Sequence, residues 1–337
     1  MFRHLHKVVG VLVIAVSLSL GWLAWDYTVF ADTPLNVGPE GIVIEVPPGT
    51  SFQRLARDLH EREIIESSDY LIFMARWDNA AERIRAGEYQ IDQGLTPRTL
   101  LLRLVSGAVI QHQLTVVEGW TFRQLLDAIW EHNALRQTLV DLSDQEIMAR
   151  LGKPDLHPEG QFAPDTYRFP RGTSDLEFLR RAHGVLEEWL AREWPQRDQT
   201  LPYDLPYDAL IMASIIEKET ALKSERADIA GVFVRRLERN MRLQTDPTVI
   251  YGMGDAYNGN IRRADLRRDT PYNTYTRHGL PPTPIALPGL ESLRAALHPA
   301  SGKALYFVAK GDGSHQFSAT LDEHLDAVRR YQLKRRN

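Results

Sequence analysis

Two carboxylates close an apolar run in this 337-residue chain, Ala209-Leu-Ile-Met-Ala-Ser-Ile-Ile-Glu217-Lys-Glu219-Thr-Ala221. Seven of the eight residues before Glu217 are apolar, so a carboxyl there loses solvation. Burial disfavours the charged form of an acid and raises its pKa toward neutrality. Such a group keeps a proton near pH 7 and serves as a general acid. The competing reading makes Glu217 the first solvated residue of a helix leaving the core. At about 100° per residue, Leu210, Ala213, Ser214, Glu217 and Ala221 share one helix face. That face is mostly small, which leaves room beside the carboxylate for a ligand. The bulky Ile211, Met212, Ile215 and Leu222 lie opposite, where a core would be. Glu219 is turned about 200° from Glu217 and stands four residues before Lys223, the spacing of a surface ion pair. On this reading Glu217 is the candidate catalytic acid and Glu219 is structural.

The elements that would carry this acid begin with an anchor. Val8–Trp25 holds no charged residue over 18 positions, near the minimum for crossing a bilayer core. Arg3 and Lys7 precede it and Asp26 follows, so the positive-inside rule keeps residues 1–7 in the cytoplasm. Trp22, Trp25 and Tyr27 would lie at the outer interface. A cleaved signal peptide is the rival, since Val29-Phe30-Ala31 resembles a small-residue cleavage site. The apolar stretch exceeds the usual signal core and favours the uncleaved anchor at 8–25. The chain has no Cys, so it holds neither a lipid-modified cysteine nor a disulfide framework. Net charge is −4 with basic residues scattered, which leaves no electrostatic footprint for nucleic acid. Lys334-Arg335-Arg336 reads as a solvated helix end, and residues 26–41 read as an extended linker with Pro34, Gly38 and Pro39.

A repeat organises the next stretch. Gly49-x-Ser51, Gly94-x-Thr96 and Gly119-x-Thr121 each have apolar residues six and ten positions after the glycine. Those are Leu55 and Leu59, Leu100 and Leu104, and Leu125 and Ile129. Strand-like segments precede each copy, at Ile42–Val46, Glu88–Ile91 and Gln113–Val117. The pattern predicts strand, glycine turn, hydroxyl N-cap and amphipathic helix. Residues 42–110, with Ala86-Gly87-Glu88-Tyr89, resemble a LysM-type module, a small βααβ carbohydrate-binding domain. That resemblance implies binding to N-acetylated glycans.

The second half is denser in motifs. Glu159-Gly-Gln-Phe-Ala-Pro-Asp165-Thr-Tyr167-Arg-Phe-Pro170 interleaves polar and aromatic residues, as suits sugar rings or a well-anchored surface loop. Helices are predicted over 204–220 and 225–240. Leu243-Gln244-Thr-Asp246-Pro places a turn before a short apolar segment. Pro271-Tyr272-Asn273-Thr-Tyr275 leads into the proline-rich 279–289, a stiff extended loop fit to wall a cleft. A helix at 290–297, a hairpin of 304–309 and 316–319 around Gly311-Asp-Gly313, and a helix at 321–333 close the chain. The fold class is mixed α+β, with 111–337 as the catalytic domain. There is no His-Glu-x-x-His, no Ser-x-x-Lys at Ser214, no Gly-x-Ser-x-Gly and no phosphate loop. No cofactor or metal is expected, and His315 and His324 read as structural.

In order, Glu-Gly…Pro-Asp-Thr-Tyr (159–167), Ala-Ser-Ile-Ile-Glu-Lys-Glu-Thr (213–220), Leu-Gln-Thr-Asp-Pro-Thr (243–248), Pro-Tyr-Asn-Thr-Tyr (271–275), Gly-Leu-Pro-Pro (279–282) and Gly-Ser-His-Gln-Phe-Ser (313–318) resemble the endolytic murein transglycosylase, or YceG-like, family. Thr283 and Leu287 depart from the family's commoner Gly and Asn. The resemblance implies cleavage of the β-1,4 bond between N-acetylmuramic acid and N-acetylglucosamine within peptidoglycan strands. It implies a lyase that leaves 1,6-anhydro ends and terminates nascent strands, with Glu217 as acid and then base. Asp165, Tyr167, Gln244, Asp246, Tyr272, Asn273 and Tyr275 would bind substrate. An inner-membrane anchor, a periplasmic catalytic domain and penicillin-binding synthases as partners follow from the same resemblance. Two alternatives stay open: a hydrolytic muramidase pairing Glu217 with Asp165 or Asp246, and a non-catalytic, membrane-anchored glycan-binding scaffold.

Overall fold

The computed structural model describes residues 2–333, so Lys334-Arg335-Arg336 lies outside the described residues. In chain order the elements are α1 (Phe2–Asp32), β1 (Ile42–Val46), α2 (Phe52–Glu61), α3 (Ser68–Trp77), β2 (Gly87–Ile91), α4 (Pro97–Ser106), β3 (Gln111–Thr115), α5 (Phe122–Glu131), α6 (Asp144–Arg150), β4 (Thr166–Pro170) and α7 (Asp175–Glu193). They continue with α8 (Pro206–Glu219), α9 (Arg226–Glu238), α10 (Asp246–Met253), α11 (Arg263–Arg267), α12 (Leu290–Leu297), β5 (Tyr306–Ala309), β6 (His315–Ser318) and α13 (Leu321–Val328). The architecture is mixed α+β, and the chain divides into two compact units, 1–112 with 169–172, and 113–168 with 173–337.

After α1 the first unit runs β1–α2–α3–β2. β1 and β2 pair antiparallel, Ile44 opposite Tyr89 and Ile42 opposite Ile91, and their inward residues meet the buried leucines of α2 and α4. α1 has exposed apolar side chains through most of its length and is long and apolar enough to cross a membrane. It does not stop where the expected anchor ends. The helix runs on to Asp32, and Phe30 and Ala31 are buried in the unit's core beside Tyr70. Part of the expected linker is therefore helix, because the apolar residues after Asp26 find a protein surface to cover them.

All three copies of the repeat take the expected form. Gly49, Gly94 and Gly119 sit at φ of 80°, 86° and 80°, a left-handed conformation that glycine adopts without steric cost. Ser51, Thr96 and Thr121 cap α2, α4 and α5, each side-chain oxygen accepting a backbone N–H three residues on. The six apolar residues at the sixth and tenth positions are all buried.

The second unit is built around α8, whose residues Ala209–Ile216 are all buried. α12 and α9 pack on it, and Leu210 meets Leu186 of α7. The β5–β6 hairpin pairs Tyr306 with Ser318 and Phe307 with Phe317, and Phe307 packs edge-on against Phe233 of α9 with ring centroids 5.7 Å apart. The segment after Thr245, expected as a turn and a short apolar stretch, is a helix: Pro247 occupies its first turn, where a missing N–H costs nothing. At the chain's end α13 continues as a wider π turn to Leu333.

Candidate active site

α8 ends at Glu219, with Thr220 already extended. Lys223 therefore falls in a separate short turn, and the helical pairing expected between Glu219 and Lys223 has no helix to carry it. The two carboxylates of the last turn meet opposite surroundings. Glu217 Oε1 accepts from Arg226 Nη2 at 2.9 Å, and its Oε2 accepts from the Gly289 backbone N–H at 2.9 Å. Both side chains of this ion pair are nearly enclosed, 5% and 4% exposed, so neither oxygen is left facing a ligand. Arg226 also reaches Glu118 at 3.3 Å. The small face of α8 is not open either. Ser214 Oγ accepts from Ile285 N–H at 3.0 Å, so the proline-rich segment lies where room for a ligand was expected. Small side chains admit a neighbouring chain as readily as a substrate. Close approach is required here: a Cβ on Gly289 would fall 2.1 Å from Glu118 Oε1.

Glu219 ends the other stripe. Met212, Ile215 and Ile216 stand seven, four and three residues before it and are all buried. Its pKa is raised to about 7, chiefly by burial, with the charge of Asp246 adding to the rise. A hydrogen bond donated by Thr245 Oγ1 and the positive fields of His315 and Arg236 oppose it. The C-terminal end of the helix dipole also disfavours a negative charge there. Glu219 lines a cleft of about 440 Å³ together with Arg236, Gln244, Asp246, Tyr275, Tyr306, His315 and His324.

Two loops reach this cleft because Thr274 laces them together. Its hydroxyl accepts from Thr245 N–H at 3.0 Å and bonds Thr248 Oγ1 at 2.9 Å, while its carbonyl accepts from Gln244 N–H at 3.2 Å. That places Asp246, the first residue of α10, against Tyr275, whose hydroxyl donates to Asp246 Oδ1 at 2.5 Å. Burial first, then the Asp246 carboxylate, drives the Tyr275 pKa upward. Gln244 is held at φ 52°, a conformation that costs a non-glycine residue energy and is common at functional sites. Arg236 holds the opposite wall. It donates from Nε to Leu305 O and from Nη1 to Leu243 O, each at 2.7 Å, and lies 5.2 Å from the Tyr306 ring centre. His315 is fixed by Glu225 through Nδ1 at 2.7 Å and through its own backbone N–H at 3.0 Å. His324 stacks on Tyr306, and burial, with Arg236 beside it, lowers its pKa.

Of the residues expected to bind substrate, Gln244, Asp246 and Tyr275 share this cleft. The other four have side chains engaged elsewhere. Asn273 is buried; its amide donates to the carbonyls of Asp265, Leu266 and Arg268, and its Oδ1 accepts from Tyr275 N–H. Tyr272 bonds Thr283 at 2.9 Å and packs edge-on against Tyr251. Tyr167 is buried with its hydroxyl on Ala163 O, and Asp165 is exposed, bonding Thr166 N–H at 2.6 Å in its own turn. Glu159 is a second acid raised to about 7, again mainly by burial. It accepts from Phe122 N–H at the start of α5 and from Tyr251, which makes it a buried tie away from the cleft. Arg236 and Tyr306 also line the cleft, as do His315 and His324, which the sequence alone marks only as structural. Among the described residues, no group of three His, Asp or Glu side chains is arranged to hold a metal ion.

The model of the YceG-like family matches residues 44–330. An endolytic murein transglycosylase of Bacillus subtilis is 33% identical over 310 residues, covering 86% of this chain and 84% of the relative. A protein of the same name from Streptococcus pneumoniae is 25% identical over 94% of this chain, which spans 63% of that longer relative. A crystal structure of a yceG-like protein from Listeria monocytogenes superposes with a TM-score of 0.53 at 28% identity, covering 86% of this chain and 99% of that one.

Proposed function

The chain belongs to the YceG-like family, and on that premise we propose that it is an endolytic peptidoglycan lytic transglycosylase with Glu219, rather than Glu217, as its acid. The observation that carries this reading is a carboxyl raised to about 7 on the wall of a cleft that also holds Gln244, Asp246 and Tyr275. Glu219 protonates the glycosidic oxygen between N-acetylmuramic acid and N-acetylglucosamine as the bond to the anomeric carbon breaks. The muramyl C6 hydroxyl then attacks that carbon and returns its proton to the Glu219 carboxylate. The acid is regenerated, no water is consumed, and a 1,6-anhydro end remains. Gln244 and the Asp246–Tyr275 pair position the strand, and Glu217 with Arg226 holds the end of α8.

Further parts of the reading rest on other observations. The β1–α2–α3–β2 order of the first unit supports its assignment as a LysM-like glycan-binding module. The exposed apolar surface of α1 supports a single inner-membrane anchor with the catalytic unit in the periplasm. There the enzyme would terminate strands made by penicillin-binding synthases.

Incubation with purified sacculi followed by mass spectrometry tests the chemistry. Wild type and Glu217→Gln should release anhydro-ended fragments, whereas Glu219→Gln should release none. The reverse pattern would return the acid to Glu217. Asp246 shares the cleft with Glu219, so a hydrolase pairing these two carboxylates is the second reading. It predicts reducing ends one water heavier than anhydro ends.

A further inference from the structure

The surface of the first unit carries an aromatic patch that the glycan chemistry does not use. On α3, Phe73 is 51% exposed and Trp77 is 75% exposed, unusual values for such large apolar rings. They lie 5.8 Å apart between ring centres, and Phe73 packs edge-on against Tyr27 of α1 at 5.4 Å. Tyr27, Phe73 and Trp77 line one shallow concavity. Tyr70 touches both Tyr27 and Phe30 and donates to Asp26, while Phe73 touches Tyr27. Along α3 the contacts with α1 thus centre on Tyr27, two residues beyond Trp25 of the apolar segment, and Trp77 shares the concavity that Tyr27 lines. Trp22 and Trp25 are 61% and 62% exposed. Arg76 is exposed between Phe73 and Trp77 on the same turn.

We propose that Phe73 and Trp77 insert into the headgroup boundary of the bilayer beside α1, so that α3 seats the first unit on the membrane surface. The inference rests on the reading of α1 as a membrane anchor and adds a second contact to it. Continuity selects lipid as the occupant: the patch adjoins, through Tyr27, a helix whose apolar flank only a bilayer would cover. Tryptophan and phenylalanine with a neighbouring arginine match the interface, where amphipathic rings sit at headgroup level and a guanidinium meets phosphate. Two points of attachment would fix the orientation of this unit, whereas a helix alone leaves it free to swivel.

The absence of cysteine makes a direct test clean. Spin labels are placed on the full chain at W22C, W77C and R57C, the last on the exposed side of α2, in vesicles of phosphatidylethanolamine and phosphatidylglycerol. Relaxation by oxygen, which concentrates in lipid, is compared with relaxation by a water-soluble nickel chelate. Trp77 is mostly exposed, so its replacement leaves the core intact. The oxygen-to-nickel ratio at positions 22 and 77 should exceed that at 57 several-fold. A lipid-like ratio at 22 with a water-like ratio at 77 overturns the seating and leaves the anchor standing. Water-like ratios at both overturn the anchor and the seating together. A label at 77 shielded from both reagents indicates a protein surface there and also refutes the proposal.

Discussion

Replacing Glu219 by Gln removes a proton but keeps the shape, and the environment of this residue sets opposite signs for activity and stability. The carboxyl rises from 4.5 to about 7 on folding, mainly through burial. Its folded pKa exceeds its unfolded one, so the folded chain binds the proton more tightly. The native state is therefore undisturbed below pH 4.5 and progressively destabilised as pH rises toward 7. A shift of about 2.5 units at about 1.4 kcal/mol per unit gives about 3.5 kcal/mol at most, nearly all of it by pH 8. Glu219→Gln avoids that cost, since a neutral amide still accepts the hydrogen bond from Thr245. The variant should be more stable than wild type at pH 8 by up to about 3.5 kcal/mol, with the difference vanishing near pH 4. Urea unfolding at the two pH values measures it. Turnover of sacculi should fall by at least about 10²-fold, the contribution of a positioned acid. In wild type the protonated fraction of an acid at pKa 7 drops roughly tenfold between pH 6 and 8. An ordinary glutamic acid near 4.5 would lose roughly a hundredfold over the same interval. A Glu219→Gln variant that stayed active, or that was less stable than wild type at pH 8, would refute the assignment of a desolvated acid.

Other perturbations separate the roles of neighbouring groups. Thr245→Val keeps size but removes the hydroxyl that favours the Glu219 carboxylate; the alkaline limb of the pH–rate profile should move up by about one unit. Glu217→Gln leaves the buried Arg226 guanidinium without its closest carboxylate, so urea unfolding should show a loss of about 3–5 kcal/mol while the product stays anhydro-ended. Gly289→Ala sets a methyl against the flexible, half-exposed end of Glu118, which can swing away from Arg226, so the cost by the same measurement should stay below about 1 kcal/mol. Arg236→Lys cannot reach Leu305 O and Leu243 O with one forked group; the hairpin wall should loosen and KM for glycan should rise.

Much of the local structure was legible before any tertiary contact was known. Each copy of the repeat announced its glycine turn, hydroxyl cap and buried leucines, because these depend on neighbours within ten residues. Asn273 shows the opposite case. A polar residue in a tyrosine-flanked loop reads as a ligand contact, yet its amide is spent on three carbonyls of the loop before it. The two carboxylates of α8 show why. Of the two carboxylates closing the apolar run, burial raises the pKa of Glu219, which continues the stripe of Met212, Ile215 and Ile216 and which the sequence alone marks as structural. The small stripe is covered by the proline-rich segment through Ile285 and Gly289, and a helical wheel cannot say what lies against a face.

From its residues alone the chain specifies an apolar helix, a capped repeat, mixed α+β elements, the family motifs and an acid-bearing helix end. These follow from local propensity and from the order of short motifs. Only the tertiary structure decided what surrounds each of two glutamates that stand two positions apart. The reason is long-range: Arg226 and Gly289, nine and 72 residues away, take up the oxygens of Glu217. The loop carrying Thr245, together with the β5–β6 hairpin, encloses Glu219, and burial there outweighs the Thr245 hydrogen bond and the fields of His315 and Arg236.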